Sequence, residues 1–434
     1  MARLPFTRPV DPLLESASTP AGREKRRPAE DRQNEMLQSP HRILGRLPGP
    51  VRLLVWGTLV NKLGTFIFPY LSLVLMRDFG MTPARAGMLM TCHGLGAIVS
   101  VLTGGVLTDR LGRRRTLLLS MFGGGVLAVA MGFAPSLGWF VPLLIAFGFL
   151  ADLYRPAASA LISDLLPSRE RVLGFAALRV AVNIGFAVGV VAGGVLADLD
   201  WRLLFIGDGL TTLACAGLLA AGIPETKPSP ASGAEPVPHA SPWRDGVYLV
   251  SVLSSTVFCL MFFSFLTVLP LSVTVWAGYP AWVYGLLMAL NGSLIGLFEI
   301  SATDVLRRFR RLRVAALGVT LAAVGFGLSG LVPHWAWFMV TGLLWTAGEI
   351  FYAPQQISFV ADWSPPASRG RYLSLYQASW TAGAALNPLF SLPLHARLGD
   401  MLFWPVLGLL GVPSIWLLLR LDRTADRPER LRGA

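Results

Sequence analysis

Twelve apolar segments, each long enough to cross a bilayer, follow one another between residues 51 and 419. About 20 apolar residues span the hydrocarbon as a helix. No water reaches the backbone there, so each segment must satisfy its own N–H and C=O groups, as a helix does. The segments cover 51–76, 86–108, 116–134, 137–163, 172–197, 203–223, 246–275, 281–303, 314–332, 335–361, 372–394 and 401–419. An all-α polytopic membrane protein is the expected class. Charged residues make up 14% of the chain, against about a quarter in soluble domains. Mean hydropathy is +0.57.

The net charge of +12 would suit a nucleic acid, but the basic residues occupy short connections and tails, so no nucleic-acid partner is expected. Cys92, Cys215 and Cys259 lie inside apolar segments without paired or ligand spacing. Neither a disulfide framework, a metal site nor a cofactor is therefore expected. Residues 1–50 mix charge with Ser and Pro and read as a disordered cytoplasmic tail. Six segments fill 51–223, a Pro- and Ser-rich linker covers 224–243, six more fill 244–420, and 421–434 form a second tail.

The connection 105–115 reads Gly-Val-Leu-Thr-Asp-Arg-Leu-Gly-Arg-Arg-Arg. Arg110, Arg113, Arg114 and Arg115 hold this loop on the cytoplasmic side. With an even number of spans, both termini then lie inside. Arg169, Arg171, Lys227, Arg307 to Arg313, Arg369, Arg371 and Arg420 fall on the same side, whereas the opposite connections carry only Arg77, Arg85, Arg202 and Arg397. Trp139, Trp201, Trp282, Trp335 and Trp404 fall near segment ends, where interfacial aromatics gather.

The chain also repeats. Tyr154, Pro156, Asp164, Pro167, Arg171 and Gly185 recur at an offset of 198 as Tyr352, Pro354, Asp362, Pro365, Arg369 and Gly383. A fainter echo of the loop at offset 195 matches Asp109 and Arg113 to Asp304 and Arg308, with Ile300 and Arg307 in place of the two glycines. Such duplications build secondary transporters with a substrate site between rocking halves.

Gly105-x-Leu107-x-Asp109-Arg110-x-Gly112-Arg113-Arg114 resembles the signature between helices two and three of the major facilitator superfamily. The resemblance covers residues 51–420 and implies that family's fold, twelve transmembrane helices in two pseudo-symmetric six-helix halves, in a monomer. It implies that helices one, four, seven and ten line a central cavity, and that Asp109 with the arginine loop forms a cytoplasmic latch between the halves. Gly185-x-x-x-Gly189-x-x-x-Gly193-Gly194 resembles the fifth-helix signature of the drug:proton antiporter branch, a small-residue face for close helix packing. Val190 stands where that signature has proline, and Pro388 occupies the equivalent place in the second half. Ala146 stands where the fourth-helix arginine of proton-coupled drug antiporters would align.

Charges inside spans cost roughly 2.5 to 3.5 kcal/mol each on insertion scales, so each calls for a partner or a role. The candidates for coupling or substrate binding are Lys62, Asp152, Arg155, Arg179 and Glu349, with His93 as a titratable residue in the second span. Asp152 and Arg155 are three apart and can neutralise each other. Glu349 has no such neighbour, and burial disfavours a charged carboxyl, as a proton carrier requires. Glu299 lies close enough to a span end to reach the interface. Phe66, Phe68, Tyr70, Phe262, Phe263, Trp345, Phe351 and Tyr352 offer aromatic surface near the cavity helices, mostly for packing.

Gly325-Phe-Gly327-Leu-Ser-Gly330 matches a dinucleotide fingerprint only formally, because it lies inside an apolar span. No lysine-bearing phosphate loop points to ATP hydrolysis. The expected function is therefore not enzymatic. It is proton-coupled efflux of lipophilic or amphiphilic small molecules across the cell membrane, with an importer or lipid-solute transporter of the same fold, or a transport-inactive sensor, as the alternatives.

Overall fold

Long apolar runs, broken by Gly and Pro and stopped by short polar connections, fold into helices that traverse the molecule and return. The structure, a computed structural model, describes residues 47–167, 171–226, 241–306, 308–365 and 368–425. Residues 1–46 of the expected tail, 227–240 of the linker with Lys227, Arg169, Arg307 and 426–434 lie outside the described residues, as do the side chains of Asp109, Asp304 and Arg369.

The first half contains α1 (Gly49–Asp78), α2 (Pro83–Leu111), α3 (Arg113–Gly132), α4 (Leu137–Leu165), α5 (Arg171–Leu199) and α6 (Trp201–Gly222). The second contains α7 (Gly246–Trp276), α8 (Ala281–Leu306), α9 (Arg311–Leu328) and α10 (Trp335–Trp363). A last helical run divides at Gly399 (φ 66°, ψ 172°) into α11, 369–398, and α12, which reaches Ala425. These twelve helices are the expected architecture. α12 continues in helical form past 420, through Asp422 and Arg423.

The offset of 198 is a structural register. Pro83 and Ala281, Arg113 and Arg311, Leu137 and Trp335, and Arg171 and Arg369 begin equivalent helices. Both halves even end their first helix in a π turn, Val74–Asp78 and Ser272–Trp276. The loop echo at offset 195 is thereby corrected: Arg311, not Arg308, replaces Arg113. Arg113 Nε lies 3.0 Å from Asp164 Oδ2, and Arg311 pairs with Asp362, the same two positions one repeat later.

Three helices are interrupted where the site lies. In α1 the helix stops at Leu63 and resumes at Ile67, because Gly64 turns the chain against Thr211, whose side chain fills the space a Cβ would need. α4 breaks at Leu153, just before Pro156, and α7 breaks at Phe263 and again at Val268 beside Pro270. Proline in a helix interior removes a hydrogen bond and clashes with the preceding turn, so these breaks have a local cause.

The glycines of α5 do what small residues permit. A Cβ on Gly189 would lie 2.7 Å from the carbonyl oxygens of both Lys62 and Leu63 on α1, and one on Gly194 would lie 2.7 Å from Trp282 N on α8. Gly185 also faces α1 at Lys62 and Leu59, while Gly193 packs on Phe66 and Tyr70. One glycine face therefore serves two partners, its own half and the other. The halves also meet where α2 crosses α11, at Gly87 with Pro388 and Gly94 with Ala385. Further along α2, towards the arginine loop, Gly105 faces open space.

Phe66, Tyr70, Phe262, Trp345 and Tyr352 are buried in packing within this frame. Trp404 corrects the interfacial expectation: it is fully buried and stacks on Phe326 with centroids 6.0 Å apart.

Candidate functional site

The interrupted helices bring the intramembrane charges into defined pairs. Arg155 Nε donates to Asp152 Oδ1 at 2.7 Å across the α4 break, as the spacing of three suggests. Lys62 stands at the α1 break with its ammonium 5.2 Å from the centroid of the Tyr154 ring.

Lys62 also faces an acid that the sequence reading passed over. Asp208 on α6 is 7% exposed. Its carboxylate lies in the field of the Lys62 ammonium. Thr212 Oγ1 donates to Asp208 Oδ1 at 3.3 Å, and Asn61 Nδ2 donates to Thr212 Oγ1 at 2.8 Å. Asp208 is thus tied to the α1 break through Thr212 and Asn61. The signal was present as a lone acid in a span, open to the same insertion-cost argument as Glu349.

Arg179 on α5 pairs with Glu299 on α8, donating to both carboxylate oxygens. Glu299 therefore does not reach for the interface: its side chain is 16% exposed and it is bound across the boundary between halves.

Glu349 on α10 is likewise not without a neighbour, since Asn291 Nδ2 on α8 donates to its Oε2 at 3.1 Å and to Thr346 Oγ1 at 3.1 Å. That partner is neutral. Among the described residues, Arg155 is ion-paired with Asp152 and Arg179 with Glu299, the Lys62 charge acts on Asp208 through space, and no cation forms an ion pair with Glu349. The Arg179 charge reaches Glu349 through space but is already engaged by Glu299.

His93 stands apart from these charges in its contacts. Its Nδ1 lies 3.2 Å from Leu144 O, and its ring stacks between Phe68 at 5.7 Å and Phe147 at 5.9 Å. It is a packing bridge between α2 and α4.

Among the described contacts, the arginine loop is held by its own half and by the first residues of the linker. Gly112 takes φ +102°, and the Glu225 carboxylate occupies the space beside it. Glu225 accepts from Arg114 N at 3.1 Å and Arg115 N at 3.2 Å, capping α3. Arg113 is 6% exposed and also donates from Nη1 to Thr108 O at 3.1 Å. Thr226 Oγ1 donates to the same Asp164 oxygen at 2.9 Å. Arg114 Nη2 donates to Ala220 O at 2.8 Å. Arg110 is exposed.

Comparison with known proteins bears on the family and the fold. A family profile described as Major Facilitator Superfamily matches residues 54–354 and 277–434. A Na(+), Li(+), K(+)/H(+) antiporter of Planococcus maritimus is 26% identical over 421 residues, covering 86% of this chain and 96% of that protein. Multidrug resistance protein MdtH of Cronobacter sakazakii is 26% identical over 383 residues, covering 85% and 93%. Among solved structures, a POT family transporter in complex with 5-aminolevulinic acid superposes with a TM-score of 0.75 at 13% identity, covering 88% and 97%. A D-xylose-proton symporter superposes with 0.69 at 17%, covering 86% and 97%. At these identities the solved structures speak to the fold alone.

Proposed function

Because the chain belongs to the Major Facilitator Superfamily and is thus a membrane transporter, we propose that it exports lipophilic cations in exchange for protons, with Glu349 as the exchanging carboxyl. The observation that carries this reading is the pairing of charges. Among the described residues Arg155 and Arg179 each pair with an acid and the Lys62 charge acts on Asp208, whereas Glu349 is bound by the neutral Asn291 amide. An acid left without a cation in a low-dielectric site is neutralised by whatever positive charge can reach it, a proton or a cationic solute.

Competition for one carboxylate supplies the coupling. A proton arriving from outside neutralises Glu349 and releases the solute; its loss inside restores the negative site. Alternating access follows if the two forms favour different arrangements of the halves, by as much as their differential stability allows. Aromatic walls such as Phe263 and Phe351, only partly buried, suit an apolar body on the cation. Two relatives support exchange and efflux: one is named as a cation/proton antiporter and another as a multidrug resistance protein. The positive-inside pattern supports an orientation with the arginine loop and both termini in the cytoplasm, the protein lying in the plasma membrane.

The test is flux in liposomes with an imposed pH gradient, following a lipophilic cation together with internal pH, for wild type and Glu349→Gln. Coupled movement of solute and protons that vanishes in the variant is the expected result. Coupled flux that survives the substitution moves the carrier to Asp152, and solute accumulation along the proton gradient would make the protein an importer.

A further inference from the structure

The two halves touch at the end opposite the arginine loop through polar contacts at the start of α8, one of them built like a helix cap but made in trans. α8 begins at Ala281, directly after Pro280. A helix start needs acceptors for its first N–H groups, and proline has no side-chain oxygen to offer. The acceptor comes from the other half. Ala281 N donates to Asp198 Oδ2 at 2.9 Å and to Oδ1 at 3.1 Å, and Asp198 is the penultimate residue of α5.

Other contacts in this seam position the carboxylate. Gly194, one turn before Asp198, lets the α8 backbone approach so closely that a Cβ would meet Trp282 N at 2.7 Å. Tyr70 on α1 donates to Val190 O at 2.6 Å and sets its ring edge-on to Tyr284 of α8, centroids 5.4 Å apart. Arg77 Nη2 donates to Ala197 O at 2.7 Å, fixing the end of α5 from below. The pseudo-equivalent seam between α2 and α11 is built differently. At the start of α2, Thr82 forms no side-chain cap, and the close approaches are those of Gly87 and Gly94 to Pro388 and Ala385.

We infer that Asp198 is the positioning residue that latches the outer side of the transporter shut, capping α8 only while the halves are closed at that end. The role rests on the alternating-access reading, since a cap shared between halves must break whenever they part. When α5 and α8 separate, Ala281 N loses its partner and the positive end of the α8 dipole loses its carboxylate. Water then solvates both groups, so the latch biases the equilibrium without locking it. The polar seam releases, and the glycine seam of α2 and α11 can act as the pivot.

The experiment reads conformation without any solute, so its failure is separate from failure of the flux assay. Spin labels at Ser136 and Leu331, exposed outer positions on opposite halves, are placed in the full chain with Cys92, Cys215 and Cys259 replaced. Distances are measured in nanodiscs by pulsed electron resonance. Asp198→Ala is expected to raise the ratio of outward-open to closed molecules by about three- to tenfold, the range a lost cap supports. Asp198→Asn, which keeps an oxygen acceptor without the charge, is expected to fall between Ala and wild type. A distance distribution in Asp198→Ala that matches wild type overturns the latch. So does an Asn variant that opens more than Ala. Should Asp198→Ala fail to fold, the Asn variant alone decides, by an open population above or equal to that of wild type.

Discussion

Arg179 on α5 and Glu299 on α8 form an ion pair that crosses from one half of the transporter to the other, with the guanidinium meeting both carboxylate oxygens. The arginine is 63% exposed and the glutamate 16%, so the acid depends on the pair more than the base does. Arg179→Ala is expected to lower thermal stability in detergent by about 1 kcal/mol, the arginine's exposure limiting the effect. The charge swap Arg179→Glu with Glu299→Arg should restore most of the loss, and a swap as unstable as the single change would rule out a pairwise interaction.

Lys62 and Asp208 should behave as a coupled unit. Removing Lys62 leaves a buried carboxylate facing neutral partners, and Asp208→Asn removes the acid on which the Lys62 charge acts. Each single change is expected to destabilise, with a coupling energy of about 0.5 to 3 kcal/mol in a double-mutant cycle of Lys62→Met and Asp208→Asn. Strict additivity of the two melting shifts would show that the charges do not interact.

Two loop glycines should part company. Gly112 holds φ +102° with Glu225 beside it, and Gly112→Ala is expected to cost about 1 to 2 kcal/mol from the backbone conformation alone. Gly105 lies in helical conformation facing open space, so Gly105→Ala should leave the melting temperature unchanged or raised, by up to about 1 kcal/mol of helix propensity. If Gly105→Ala nevertheless slows transport, the loop meets the second half in another state of the cycle.

The glycine face of α5 is graded by what opposes it. Gly189 is met by two backbone oxygens that cannot rotate away, whereas Gly193 is met by the side chains of Phe66 and Tyr70. Gly189→Ala should destabilise by about 1 to 3 kcal/mol through overpacking, and Gly193→Ala by less. Size-exclusion profiles after graded heating would rank them, and the reverse order would contradict this packing.

The sequence alone determined the membrane class, the twelve spans, the duplication and the family, because each is written in local pattern. Hydropathy over a window, arginine spacing in a loop and identities at a fixed offset need no knowledge of what touches what. The same locality found the Asp152–Arg155 pair, three residues apart on one helix. Tertiary structure alone decided the partners of the other charges. The Lys62 charge acts on Asp208, 146 positions away in sequence, while Arg179 finds Glu299, Asn291 finds Glu349 and Asp198 finds the start of α8 over separations of 120, 58 and 83. These contacts depend on where each helix breaks and how near a glycine face lets its neighbour come. That geometry belongs to packing in three dimensions, and among the described residues it leaves Glu349 with the Asn291 amide and no ion-paired cation.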